Sequence, residues 1–348
     1  MQHEEPEAVN RLLADFLHSD FAADGQGREA ATAERAPAPR PARPVSCMMA
    51  GMMAAPPAAP AFPRFIAIDW SGARGKRYAG IAVAECRDGD AAPILVDGPG
   101  GWWSRTALFD WLRTELAREP ALVGIDCAFS LPFAVAARGF PGLEATVFEL
   151  WDAVEEVCAN EPDFGGGPFA VHPLHGAGFW HRGPQPDWYE DPHRATEWAC
   201  RADGLGHPQS PYKLIGSRQV GKGALAGMRV LRALRAALPG RLAVWPFEDP
   251  AAGRSVMVEI YPRLFLKHTG FGQRKIRDAA ELDEALHRLG SRPLERTGII
   301  SDHDSDALVS AAGLRWLAGL PQAWAPPGLD ETARRQEGWI FGVGMTGS

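Results

Sequence analysis

Two short apolar runs, each closed by a carboxylate, constrain this chain more than any other feature: FIAID, ending at Asp69, and ALVGID, ending at Asp126. Runs of this kind read as buried β-strands, and the second is apolar on both alternations, as a central strand covered on both faces is. A carboxylate at the end of such a strand is costly unless a cation or hydrogen bonds compensate it. A third acidic segment, DHDSDAL, opens an apolar helical run and holds His303 and Asp306 three positions apart, on one helix face. Central strands that carry acids at corresponding levels bring those acids together. Oxygen-rich donors favour Mg²⁺ or Mn²⁺ over zinc.

The elements around these runs suggest an α/β domain. RYAGIAVAEC reads as a second strand with Gly80 inside it, and PILVDG as a third. Ser104 is placed to cap a helix, SRTALFDWLRTELARE, with Leu108, Trp111, Leu112 and Leu116 on one face. The opening is therefore β-β-β-α-β. Further helices are expected over 143–160, 218–238, 279–289 and 304–317, with Asp302 as a helix cap. LAVWPFE and SVMVEIYP read as strands, the second ending at Glu259, and GWIFGVG as an edge strand. Residues 161–216, rich in Gly, Pro, His and Trp, resist assignment and read as a functional insertion. Residues 1–62 turn Ala/Pro-rich after a short helix over Glu7–Phe21, a composition that cannot bury a core, so the folded domain is expected over 63–348.

Composition removes several classes. No apolar run reaches the roughly 18 residues of a membrane helix, and the acidic N-terminus lacks the pattern of a secretory signal. A cytoplasmic protein without a membrane partner is the expectation. The five cysteines form no CxxC pair, which argues against structural zinc and fits a reducing compartment. His172, His175 and His181 read as loop histidines rather than a second metal site. The net charge of −7 argues against indiscriminate nucleic-acid binding, yet residues 194–241 carry nine Lys or Arg against two acids, a local +7. That stretch is either a phosphate-facing surface or a helix face balanced by acids elsewhere. Lys213, Arg218 and Lys222 lie in YKLIGSRQVGKG, which is not a P-loop but could contact phosphate. Glu259 is either a further acid at the site or the partner of a backbone group or a basic side chain.

The ordered segments IDWSG, GIDCAFSLP, SPYKLIGSRQVGKG, VWPFE, VEIYPRLF and HDSDAL resemble a bacterial family of unknown function, numbered 429 (DUF429) and described as RNase H-like nucleases. The HxxDAL element is also similar to the last catalytic element of Holliday-junction resolvases. The resemblance implies an RNase H-like fold with a mixed central sheet flanked by helices and a large insertion. It implies Asp69 and Asp126 as the first metal ligands, His303 and Asp306 as the remainder of the catalytic set, Mg²⁺ or Mn²⁺ as cofactor and nucleic acid as substrate. Two alternatives stay open. One is a nucleotide-dependent phosphotransferase or ATPase of the related actin-like fold, which normally duplicates its core. The other is an inactive binding module. Oligomeric state is not legible.

Overall fold

The computed structural model describes residues 59–73, 80–140, 145–181, 183–215, 220–272, 274–294 and 298–345. The helix read over Glu7–Phe21 and the phosphate candidate Arg218 lie outside them. The strands are β1 (Arg64–Asp69), β2 (Ala82–Arg87), β3 (Ile94–Leu95), β4 (Leu122–Ile125), β5 (Leu242–Val244) and β6 (Ser255–Glu259). The helices are α1 (Arg105–Arg118), α2 (Phe133–Ala136), α3 (Val147–Cys158), α4 (Ala195–Ala202), α5 (Gly221–Ala237), α6 (Pro262–His268), α7 (Ala279–Arg288), α8 (Asp302–Ala318) and α9 (Pro321–Trp324).

The six strands form one mixed sheet in the order β3-β2-β1-β4-β6-β5. β1, β2 and β3 pair antiparallel, and β1, β4, β6 and β5 run parallel. Alternation along the strands divides the core. Ile66, Ile68, Val123, Ile125 and Met257 face the helices α1, α3 and α5. Phe65, Ala67, Leu122, Val256 and Val258 face α6, α7 and α8. β4 is buried throughout, as its unbroken apolar run requires.

Register sets the phase of the acids. Ile68, Ile125 and Glu259 stand level in three neighbouring parallel strands. Asp69, Asp126 and Ile260 come one residue later. Alternation therefore directs Asp69 and Asp126 toward α8, and Glu259 toward the opposite layer.

Helix starts follow their caps. The Ser104 hydroxyl accepts the Ala107 amide, and Thr146 with Glu149 forms a capping box at α3. Ser301, not Asp302, caps α8: its Oγ accepts the Asp304 amide, while Asp302 pairs with Lys275.

Two other expectations are corrected, and two further segments hold a helix not read from them. β2 begins after Gly80, where a Cβ would come within 3.3 Å of the His303 ring. GWIFGVG is not a strand. Gly338, Gly342 and Gly344 adopt φ of 77°, 90° and 75°, and Ile340 makes only an isolated bridge to Glu259. The stretch 161–216 contains α4, hidden among Gly and Pro. VEIYP ends a strand and also starts a helix, because Pro262 occupies the first turn of α6.

Candidate functional site

The site is built where β1, β4 and the head of α8 meet. Asp69, the last residue of β1, is 7% exposed, and its Oδ2 lies 2.5 Å from His303 Nδ1. The Ser301 cap starts α8 at this point, so its first turn turns His303 toward β1. The hydrogen bond to Asp69 raises the pKa of His303 against the opposing effect of its partial burial. Burial raises the pKa of Asp69, and the His303 contact pulls it part of the way back. With Nδ1 engaged, His303 Nε2 has no partner among the described residues.

Asp126 borders a cavity of about 400 Å³ that is also lined by Trp70, Arg194, Glu259, Lys275 and Asp306. Its carboxylate has no hydrogen-bond or ion-pair partner among the described residues. Burial, and then the charges of Asp69, Asp306 and Glu259, hold its pKa well above the usual carboxylate range. Asp306 is pushed up to about 7, by burial first and by Asp69 second, with Lys275 and His303 opposing. Asp69, Asp126 and Asp306 thus share one electrostatic neighbourhood.

Glu259 is engaged differently. Its carboxylate takes two hydrogen bonds from Arg194, at 2.8 and 2.5 Å, and one from the Phe129 amide at 3.0 Å. Arg194 is fully buried and also binds Glu197 Oε1 through Nε at 2.8 Å. Burial works against the Arg194 charge, but Glu197 and Glu259 outweigh it. Glu259 is therefore neutralised by a protein cation, as its out-of-phase register predicts.

The glycines of IDWSG and VGKG meet each other. Trp70 Nε1 donates to the Gly223 carbonyl at 2.9 Å, and a Cβ on Gly72 would lie 2.2 Å from Gly223 N. This contact seats the turn after β1 against the first turn of α5. Arg105 braces the same turn from below: its Nε donates to Ser71 O at 3.1 Å and its Nη2 to Ala73 O at 2.5 Å.

No family model, curated protein or solved structure matches this chain. The resemblance carried by the six segments gains nothing from these comparisons, and the site's chemistry is argued from its own residues.

Three carboxylates and an imidazole suit a hard divalent cation in donor type, and the partnerless Asp126 carboxylate beside two other acids is a charge a cation would compensate. The arrangement is not a finished coordination sphere. Among the described residues, no three His, Cys, Asp or Glu side chains are close enough together to hold a metal ion as they stand.

The basic stretch 194–241 is largely balanced within the fold. Arg229 pairs with Glu155, Arg232 with Asp152 and Arg235 with Glu248, while Arg194 is buried as described. Lys213 Nζ donates to Gln209 Oε1 at 2.9 Å. Lys222, in the first turn of α5, is half-buried and has no partner among the described residues. No helix among the described residues is long and apolar enough to cross a membrane. Arg194, Lys275 and Trp70 line the cavity and were not singled out in the sequence. Arg194 had a signal in the Arg-x-x-Glu spacing to Glu197 at the head of α4; Lys275 had none.

Proposed function

We propose that this chain is a metal-dependent hydrolase of phosphodiester bonds in DNA or RNA, built on an RNase H-like sheet. The observation that carries the proposal is the placement of three carboxylates from separate elements: Asp69 and Asp126 each stand one residue past the level pair Ile68 and Ile125, on the side of α8, and Asp306 of α8 lines the same cavity as Asp126. The fold reading is supported by three antiparallel strands followed by a crossover to a strand parallel with the first. Asp69, Asp126 and Asp306 would hold Mg²⁺ or Mn²⁺. A cation there would acidify a bound water and offset charge on the phosphate. Asp69 fixes the His303 ring through Nδ1, leaving Nε2 to accept a proton from an attacking water. Glu259 falls outside the ligand set because Arg194 already compensates it.

The test is incubation of the purified chain with Mn²⁺ or Mg²⁺ and single-stranded, duplex and branched DNA and RNA. Cleavage by the native chain that Asp69→Asn abolishes is the expected result. Failure to cut any of these substrates rejects the proposal.

A second reading, a binding module without catalysis, is favoured by the lack of three gathered ligands among the described residues. It requires a melting temperature unmoved by Mg²⁺ or Mn²⁺, because a ligand specific to the native state raises stability.

A further inference from the structure

A second cavity, of about 620 Å³, adjoins the first. Gly72 lines both, so the turn after β1 is their common wall. The far side is formed by the glycine run 165–167 and by the start of α1, with Trp102 and Lys222 among the lining residues.

The charges in this cavity are mostly committed. Arg105 donates to the carbonyls of Ser71, Ala73 and Asp163. The Asp163 carboxylate accepts the Thr106 amide at 2.8 Å and the Arg105 amide at 3.3 Å, closing the head of α1. Glu161 also has partners within the chain. Lys222 is the exception: half-buried, with no hydrogen-bond or ion-pair partner among the described residues. A cation held without a counter-charge at a cavity wall favours an anionic ligand. Trp102 supplies a planar apolar surface of the kind on which bases stack. The glycine run keeps the opposite wall free of side chains. Gly166 packs against α5, where a Cβ would meet Leu225 Cβ at 2.3 Å.

From these observations we infer that the second cavity is a subsite for a nucleotide flanking the reacting phosphodiester, with its phosphate at Lys222 and its base against Trp102. This inference rests on the reading of the first cavity as a phosphodiester site. It adds that the substrate is a strand of several nucleotides, bent over Gly72, with an unpaired nucleotide beside the reacting bond.

The experiment is titration of the full chain with a single-stranded trinucleotide, followed by calorimetry, for the native protein, Lys222→Glu, Lys222→Arg and Thr106→Trp. Thr106 is exposed at the cavity wall, so a tryptophan there fills the space without disturbing the backbone amide bonded to Asp163. Reversing a charge that contacts phosphate is expected to weaken binding at least about tenfold. Thr106→Trp is expected to weaken it comparably and Lys222→Arg to retain most of it, with circular dichroism checking that each variant is folded. A native protein that does not bind the trinucleotide overturns the inference. So does binding that Lys222→Glu and Thr106→Trp both leave unchanged. A protein that cleaves nucleic acid yet shows that indifference keeps the hydrolase reading and loses the subsite. A protein that binds as expected but never cleaves keeps the second cavity as a nucleotide site, loses the hydrolase reading and overturns the placement beside a reacting bond.

Discussion

His303 Nδ1 and Asp69 Oδ2 lie 2.5 Å apart, joining the end of the first strand to the first turn of a helix 234 positions later in the chain. The contact orients the imidazole and leaves its other nitrogen for a substrate or water. His303→Ala is therefore expected to lower cleavage by roughly a hundredfold or more, the usual scale of a positioned general base. His303→Gln, which can still bond to Asp69, should fold equally well and be as inactive. Steady-state rates on the best substrate check this, and activity in either variant at the native level contradicts the role.

Stability should fall as pH rises toward neutrality. Asp306 titrates at about 7 in the fold, against roughly 3.9 for an unperturbed Asp. Between those values the folded state binds more protons than the unfolded one, so its stability declines with rising pH, and the penalty is complete above the folded value. Asp69 and Asp126 are raised as well and act in the same direction. His303, raised by Asp69, likewise loses its contribution as pH rises through its folded pKa. Melting temperatures measured between about pH 5.5 and pH 8 should therefore decrease, and Asp306→Asn should flatten the slope.

Mn²⁺ should raise the melting temperature more at pH 8 than at pH 5.5, since protons and metal compete for the same carboxylates. Equal effects at both pH values would place the ion elsewhere.

Arg194→Ala should destabilise the chain by about 3–5 kcal/mol, the typical result of removing one partner of a buried ion pair. Both Glu197 and Glu259 would lose their cation in the interior. Urea unfolding measures this. Glu259→Gln should cost less, because an amide still accepts from Arg194 and the Phe129 amide.

Gly72→Ala should lower both stability and activity, by about 1–3 kcal/mol in the former. A Cβ there would lie 2.2 Å from backbone N of Gly223, so the turn and α5 must separate. The bond from Trp70 Nε1 to Gly223 O would be strained in turn. Gly223→Ala is the milder control, because its Cβ would make only ordinary contacts, with Trp70 Cδ1 at 3.5 Å and Gly72 N and Cα at 3.6 and 3.8 Å.

The pieces with strong local signals could be read without a structure. β1, β4 and β6, α1 with its Ser104 cap, and the acids at the strand ends follow from apolar runs and helix starts. Both edge strands were legible too, β3 in PILVDG and β5 in LAVWPFE, but the irregular stretch was not. Its helix α4 is short and set among Gly and Pro. Which of its two readings Glu259 would take was not legible, since its phase depends on the pairing of β6 with β4. The basic stretch left two readings open for a different reason: the acids that balance it, Asp152, Glu155 and Glu248, lie outside it in sequence. Lys275 reaches the site from a loop before α7, which no local pattern marks.

The phase of β6 also gives protein engineers an address. Ile260, one residue beyond Glu259, is level with Asp126, and its side chain reaches the α8 side, where a Cβ on Gly124 would meet it at 2.6 Å. An added carboxylate meant to join Asp69 and Asp126 belongs at Ile260. One placed by extending or exchanging Glu259 would enter the Arg194 layer instead.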